Sequence, residues 1–255
     1  MSPWEVVAIL LAGVAAGTIN TVVGSGTLIT FPTLLAFGIP PVTANVSNTV
    51  GLAPGSLSGA IGYRAELAGQ HRRLVRLGSA SMVGGIAGAL LLLVLPSSAF
   101  DAIVPVLIAL GCVLVVLGPR IQRRVAARAE GTGGLPEHGA WWVWPAVAVA
   151  GVYGGYFGAA QGVLLMAILG IGVADSMQRH NATKNVLALI VNGIAAVIFI
   201  VVADVNWPVA GLIALGSVIG GQIGATVGRR LPANVLRAVI VMVGIVALVA
   251  FLVRL

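Results

Sequence analysis

The chain contains two related copies of one pattern, and this internal repeat constrains its fold more than any other feature. Paired positions recur 136 to 138 residues apart through most of each half. The pairs include Gly13 with Gly151, Gly17 with Gly155, Gly26 with Gly162, Asn45 with Asn181, and Ser47 with Thr183. Halves of this length, each made of apolar segments, are typical of secondary-transporter folds, whereas solenoid repeats are only about 20–50 residues long.

The composition places most of the chain in lipid. Hydrophobic residues make up 59% of the 255 residues and charged residues only 8%, whereas a soluble domain has about 25% charged residues. With a mean hydropathy of +1.08, the chain has too few charges to cover a water-facing surface. The net charge of +7 comes from basic residues in short loops, which indicates a topology signal and contact with membrane lipids, not a nucleic-acid partner.

Charges, prolines and tryptophans separate ten apolar segments. A full helical span needs about 20 residues, so the segments at 26–38 and 162–173 are too short. Each follows a glycine-rich break, Gly24-Ser25-Gly26 in the first copy and 158–162 in the second. We therefore expect an all-α polytopic membrane protein with short broken or re-entrant segments near 24–38 and 158–173. The ten segments lie at about 4–22, 26–38, 43–63, 75–94, 101–118, 142–159, 162–173, 184–203, 207–227 and 234–253.

The distribution of basic residues distinguishes two topologies. Five segments per copy would invert the second copy in the membrane, whereas four passes per copy would leave the copies parallel. With both termini outside, the inverted arrangement places 13 of the 14 Lys and Arg residues inside. The parallel arrangement moves five of these outside, namely Arg179, Lys184, Arg229, Arg230 and Arg237. We predict the inverted arrangement, with a first transmembrane repeat at 1–118, a cytoplasmic linker at 119–140 and a second repeat at 141–255.

The apolar segments lack the groups that most enzymes and pumps require. No Asp, Glu, Lys or Arg lies in the middle of any predicted segment, which argues against a carboxylate-based proton or cation pump. His71, His138 and His180 do not have the spacing of metal ligands, and Cys112 is the only cysteine. No glycine-rich loop with a lysine follows a strand, so direct ATP drive is not encoded. We expect no enzyme activity, no metal site and no cofactor.

Uncharged polar groups recur instead at matched places in both copies. Asn45 and Asn48 share a helix face in the first copy, as Asn181 and Asn185 do in the second. Asn, Ser and Thr donate hydrogen bonds without carrying a charge, and the breaks expose the positive N-terminal ends of the half-helices, which suits a small anion. Lys184 would add positive charge on the cytoplasmic side. The alternative is that these side chains only join helices by hydrogen bonds.

Two inverted copies would bring such helix ends toward one point near the membrane midplane. The candidate substrate-binding residues are Asn20, Gly24, Ser25, Gly26, Thr27, Asn45, Ser47, Asn48, Thr49, Gln161, Gly162, Asn181, Thr183, Lys184 and Asn185.

The same residues carry a resemblance to a known family. The first copy reads Gly17-Thr18-Ile19-Asn20-Thr21-Val22-Val23-Gly24-Ser25-Gly26-Thr27-Leu28 and later Ala44-Asn45-Val46-Ser47-Asn48-Thr49. The second reads Gly154-Gly155-Tyr156-Phe157-Gly158-Ala159 and later Asn181-Ala182-Thr183-Lys184-Asn185. These motifs resemble the sulfite exporter TauE/SafE family of membrane permeases over nearly the whole chain. The resemblance implies a bacterial inner-membrane transporter for sulfite, sulfoacetate or other sulfur-containing anions, without fixing the substrate.

We therefore expect a secondary carrier that exports a small sulfur-containing anion through a site between the two repeats. A passive anion channel, an importer and, outside transport, a membrane scaffold are the alternatives. The identity of the anion, the direction of transport, the coupling ion (proton or sodium) and the oligomeric state stay open.

Overall fold

The structure of the chain, a computed structural model, describes residues 1–129, 139–227 and 233–254. These residues form helices joined by short loops, and no strand occurs among them. A short 3-10 helix lies at Arg64–Leu67. The α-helices are α1 (Pro3–Val22), α2 (Thr27–Ala36), α3 (Pro41–Gly62), α4 (His71–Val94), α5 (Ser97–Ala129), α6 (Val143–Tyr156), α7 (Gln161–Gly172), α8 (Met177–Val202), α9 (Trp207–Thr226) and α10 (Ala233–Arg254).

Each predicted apolar segment corresponds to one of these α-helices. Five helices of the described chain are long and apolar enough to cross a membrane, namely α1, α4, the Ser97–Arg120 part of α5, α8 and α9. α2 and α7 have 10 and 12 residues. At about 1.5 Å per residue, such helices cover only half of a hydrocarbon core about 30 Å thick. The chain is therefore an all-α, multi-pass membrane protein with two short helices where the sequence predicts them.

Helix α8 begins earlier than its predicted segment. The apolar pattern predicts a segment that starts at the charged residue Lys184, but the helix starts at Met177. Ser176 caps it, since its side chain accepts a hydrogen bond from the Arg179 N–H. Lys184 therefore lies about two turns inside a helix that is long enough to span a membrane.

Helix α5 is also longer than its predicted segment. It continues to Ala129, which is within the predicted linker at 119–140. Residues 130–138 of that linker lie outside the described residues, as do Arg229 and Arg230, which the sequence analysis assigned to the inside.

Helices α1, α3 and α9 run side by side in one direction. Glycines allow this close approach, because a Cβ atom on Gly13 would lie only 3.0 Å from the Ile213 carbonyl oxygen. Since α1 and α3 share one direction, α2 must return the chain to the end of the molecule at which α1 begins. The matching contacts are those of Gly13 and Gly51 with Ile213, and those of Gly17 and Gly55 with Ser217.

The second repeat packs in a matching way. α6 lies along α4 in the same direction, since Gly84 contacts Ala148 and Gly88 contacts Val152. Helix pairs also correspond between the repeats: α1 packs on α9 as α6 packs on α4, and α2 packs on α10 as α7 packs on α5. Several glycines lie against a neighbouring helix, namely Gly84, Gly85, Gly88, Gly220, Gly221 and Gly224.

Helices α3 and α8 cross in opposite directions at the middle of the molecule. Ser56 of α3 accepts a hydrogen bond from Asn192 of α8, and farther along α3 the chain packs on the early part of α8, where Tyr63 clusters with Ala182. Ser56 and Asn192 are 136 residues apart, so equivalent positions of the two repeats meet here. The orientation of the repeats in a membrane stays a prediction.

One end of the molecule, named here the arginine end, carries Arg64, Arg73, Arg76 and Arg179. α3 ends here, and α4, α6 and α8 begin here. Asp175, which lies between α7 and α8, binds Arg73 at 2.5 Å and Arg179 at 2.8 Å. Burial would raise the pKa of Asp175, but hydrogen bonds from Arg73 and Arg179 outweigh that effect and lower the pKa below its ordinary value.

Candidate functional site

The two glycine-rich breaks meet at the centre of the molecule. The Gly162 N–H donates to the Gly24 carbonyl oxygen at 3.1 Å, and a Cβ atom on either glycine would collide with the other. Gly24 has a φ of +86°, a conformation that glycine adopts without strain. This turn lets the chain leave the end of α1 and start α2 beside the start of α7.

The start of α2 presents several hydrogen-bond donors without partners. The backbone N–H groups of Ser25, Gly26 and Thr27 find no acceptor among the described residues. Ser25 is fully buried, and its hydroxyl also finds no partner there. Gly26 brings this turn against α1, because a Cβ atom on it would lie 2.6 Å from the Ala16 carbonyl oxygen. Unpartnered N–H groups at the positive end of a helix form a setting that favours an anion.

The start of α7 is built in a similar way. Ala160 holds a φ of +62° just before the helix, and Gln161 follows at the position equivalent to Ser25. The Gln161 side chain packs against Gly154, where a Cβ atom would collide with it, and its Nε2 atom has no partner in the described part of the chain. Both helix starts therefore place a buried polar side chain with unused hydrogen-bonding capacity at the centre.

In the first repeat, Asn48 joins α3 to α2. Its Nδ2 donates to the Thr27 hydroxyl at 3.3 Å, and its Oδ1 accepts a short hydrogen bond from the Thr30 hydroxyl. Thr27 is close to the second repeat too, since its hydroxyl lies 3.9 Å from where a Gly158 Cβ atom would be. Asn48 and Thr27, both candidate residues, thus lie beside the start of α2, together with Thr30, which was not among the candidates.

Asn45 reaches across to the other repeat. Its Nδ2 donates to the Tyr156 carbonyl oxygen at 2.9 Å, at the end of α6, and its Oδ1 has no partner among the described residues. Thr49 donates to the Asn45 carbonyl oxygen within α3 at 2.9 Å, an ordinary helical back-bond.

In the second repeat, three side chains of α8 converge on the end of α1. Asn181 Nδ2 and Asn185 Nδ2 each donate to the Thr21 carbonyl oxygen at 3.3 Å. Lys184 Nζ donates to the carbonyl oxygens of Thr21 and Asn20, both at 3.0 Å. Lys184 is fully buried, and its ammonium lies against the last turn of α1.

Two predicted residues lie away from this centre. Thr183 donates to Gln70 Oε1 at 2.7 Å and so faces the arginine end. Ser47 accepts from the Asn206 N–H at 2.9 Å, near the start of α9. Both hydroxyls join helices, which is the alternative that the sequence left open for them.

A further polar pair at the centre, Ser56 and Asn192, is not among the candidate residues. Asn192 Nδ2 donates to the Ser56 hydroxyl at 2.9 Å, and Asn20 Nδ2 approaches the same oxygen at 3.5 Å. The repeat offset of 136 residues relates Ser56 to Asn192, so following the offset further along the chain would have found them.

The centre therefore combines amides, hydroxyls, free N–H groups and one ammonium. None of the site residues described above is an acid, and among the described ranges no three His, Cys, Asp or Glu residues lie close enough to hold a metal ion. Such a set of donors can bind a small anion, and it contains no pair of nucleophile and base.

Comparison with known proteins gives consistent matches over nearly the whole chain. The profile of the family described as "Sulfite exporter TauE/SafE" matches residues 9–251. The probable membrane transporter protein YfcA of Escherichia coli K12 is 25% identical over 254 residues, which cover 96% of this chain and 89% of that protein. The probable membrane transporter protein ORF9 of a Sinorhizobium species is 26% identical over 247 residues, covering 93% of this chain and 88% of the relative.

Proposed function

Because the chain belongs to the sulfite exporter TauE/SafE family of membrane transporters, we propose that it is a secondary carrier that exports a small sulfur-containing anion. Sulfite, a sulfonate or a related organosulfur anion would cross the bacterial inner membrane through the centre at which α2 and α7 begin. The carrier needs no cofactor and performs no chemistry on the anion. Its binding residues are drawn from both repeats, with Ser25, Asn48 and Gln161 nearest the two helix starts.

The observation that carries this proposal is the set of unpartnered donors at the start of α2. A buried polar group without a partner costs about 1–3 kcal/mol, so leaving three N–H groups and the Ser25 hydroxyl unsatisfied is expensive. An anion with several oxygens would accept from these donors together. Sulfite and sulfonates each present three oxygens on one sulfur, which suits donors that surround a helix start.

The inverted topology is part of the proposal, with both termini outside and the arginine end in the cytoplasm. In the parallel alternative, Arg73 and Arg179 would lie on opposite sides of the membrane. Both guanidinium groups bind the Asp175 carboxylate, which supports placing them on one side. The shared direction of α1, α3 and α9, opposite to that of α8, supports the same arrangement.

A counterflow assay in proteoliposomes tests the proposed function. Purified protein is reconstituted, loaded with one anion of a sulfite, sulfonate and thiol panel, and given a labelled trace of the same anion outside. A carrier accumulates the label transiently, whereas a passive channel only equilibrates it. Absence of counterflow with every anion of the panel would overturn the proposal.

A matched pair of variants links transport to the helix start. Ser25→Ala and Ser81→Ala each remove a fully buried hydroxyl that has no partner in the described residues, but Ser81 belongs to α4, away from the centre. Loss of a hydrogen bond to a charged ligand costs about 1.5–3 kcal/mol. We expect Ser25→Ala to weaken anion affinity about tenfold or more, and Ser81→Ala to leave it within twofold.

A further inference from the structure

The end of α1 holds a cation that the protein itself supplies. Lys184 Nζ lies 3.0 Å from the carbonyl oxygens of Asn20 and Thr21, in the last turn of the helix. The C-terminal carbonyls of a helix carry roughly half a negative charge. These oxygens therefore hold the ammonium as they would hold a small bound cation.

Lys184 forms no ion pair with any residue that the structure describes. Its side chain is fully buried, and its two hydrogen bonds go to main-chain oxygens. The nearest acid along the chain, Asp175, already binds Arg73 and Arg179. A buried charge without a counter-charge costs several kcal/mol, and a buried lysine is a cation that can release its proton.

Besides Asp175, the elements around α8 supply one acid, Glu66, and its carboxylate forms no ion pair with Lys184. The 3-10 helix carries Arg64 and Glu66 near the arginine end, and α4 adds His71 and three arginines there. α6 adds the phenols of Tyr153 and Tyr156, while α3 and α7 carry no titratable residue. On α8 itself, Arg179 and His180 precede Lys184, and His180 is buried one turn away.

The contact with helix-terminal carbonyls is similar to the way in which carriers with broken helices bind coupling ions, although α1 is a full-length helix. In such carriers, unwound carbonyls and the C-terminal ends of half-helices coordinate sodium ions or protons. The Lys184 stem also passes the centre, since its Cδ lies 3.0 Å from where a Gly162 Cβ atom would be, and Gly162 touches Gly24 beside the start of α2. An anion at that start would lie close to this ammonium.

We propose, on the basis of the proposed function, that Lys184 is the coupling site: its ammonium replaces a bound sodium ion, and proton binding at Nζ is coupled to anion binding. In the loaded carrier, the ammonium and a monovalent anion are together electrically neutral. After the anion leaves, Nζ passes its proton to water on the side of release and becomes a neutral amine. The N–H bond breaks as an O–H bond to water forms, and the reverse transfer from water later restores the ammonium.

The two repeats differ at the position of Lys184, and this difference sets the number of protons that accompany each anion. Asn48, which lies 136 residues before Lys184, uses its amide to bind Thr27 and Thr30. The centre therefore contains one coupling ammonium, and one proton accompanies each anion. Net flux follows the combined gradients of proton and anion, so a high internal anion concentration drives export.

The experiment compares two assays in proteoliposomes of the full chain, using the panel anion with the fastest counterflow. Counterflow at equal pH reports anion binding and translocation, and net uptake under an inward proton gradient reports coupling. We expect wild type to accumulate the anion up to about tenfold for a gradient of about one pH unit, the limit for one proton per anion. A sodium gradient and a potassium-diffusion potential should change this accumulation less than twofold.

Three variants isolate Lys184. Lys184→Gln introduces a neutral side chain, and Lys184→Arg introduces a cation that keeps its proton. Both variants should lose proton-driven accumulation but retain slower counterflow. If Lys184→Gln does not fold, Lys184→Arg still tests the inference. Any remaining pH effect in Lys184→Gln measures protonation of the anion itself. His180→Gln should accumulate the anion as wild type does.

Two results would overturn the inference while leaving the proposed function intact. One is undiminished proton-driven accumulation in the folded Lys184 variants, and the other is accumulation by wild type that requires sodium. Absence of counterflow in wild type would instead overturn the proposed function, and this inference with it.

Discussion

At the residue scale, the contact between Gly24 and Gly162 is a tight backbone constraint at the centre. A Cβ atom on Gly162 would collide with Gly24, so Gly162→Ala must push the start of α7 away from α2. We expect this variant to lose folded yield and transport together, as measured by thermal unfolding in detergent and by counterflow. Gly193→Ala is the matched control, because open space surrounds Gly193 in α8, and it should be neutral or stabilise by up to about 1 kcal/mol. Normal unfolding and transport of Gly162→Ala would contradict the close contact.

At the same scale, substituting an asparagine that donates to a main-chain oxygen can distinguish a role in transport from a role in folding. Thr21 accepts hydrogen bonds from Asn181, Lys184 and Asn185, so Asn185→Ala leaves this carbonyl with two donors. We expect the yield of folded protein to be near normal, because the free energy of unfolding should fall by about 1 kcal/mol or less. We expect the transport rate to fall several-fold. Yield and counterflow rate are measured on the same preparation.

Asn48 provides the contrast, because it uses both ends of its amide on Thr27 and Thr30. Asn48→Ala should therefore lower yield as well as transport. Equal losses of yield in Asn48→Ala and Asn185→Ala would favour a helix-joining role for both residues.

At the element scale, Asp175 ties the start of α4 to the start of α8. Its pKa is lowered from the ordinary value of 3.8, so the charged form stabilises the folded protein. That stabilisation is complete when the pH is above the ordinary pKa, and it is lost as the pH falls through the lower pKa of Asp175 in the folded protein. We expect the unfolding temperature of wild type to fall between about pH 5 and pH 3, and Asp175→Asn to be less stable at pH 5 with a shallower decrease. Asp204→Asn is the control, since Asp204 is exposed and forms no ion pair within the described ranges; an equal response in both variants would contradict the role of Asp175.

The helices themselves show how far sequence reasoning reaches. α2 and α7 were predicted as short helices because an apolar run of that length cannot span the bilayer. The early start of α8 was missed because its first turns are polar. Those turns stay helical because Ser176 caps them and because Asn181 and Lys184 bind the end of α1 inside the protein. Side-chain patterns identified Ser25 and Gln161 as candidate binding residues. The main-chain carbonyl oxygen of Thr21 could not be identified in this way, because every residue has one.

At the scale of the whole molecule, the repeat was readable because asparagine is scarce and because several asparagines and glycines recur at a nearly constant offset of 136 to 138 residues. The structure adds the pairing of helices, which the offset alone does not specify. α1 packs on α9 and α6 on α4, so each first helix packs on the fourth helix of the other repeat. Neither repeat can therefore bury its first helix alone, and the two form one transport unit.

The orientation of that unit in the membrane is the remaining prediction. In a Cys112→Ser background, single cysteines replace Ser97, Asp204 and Arg72, all of which are exposed. The inverted topology places Ser97 and Asp204 outside and Arg72 inside, because Arg72 belongs to the arginine end and cytoplasmic loops are rich in Lys and Arg. A membrane-impermeant maleimide added to intact cells should label the first two cysteines and reach the third only after the membrane is opened. The parallel topology moves Asp204 to the cytoplasm, so labelling at that position only after opening the membrane would overturn the inverted arrangement.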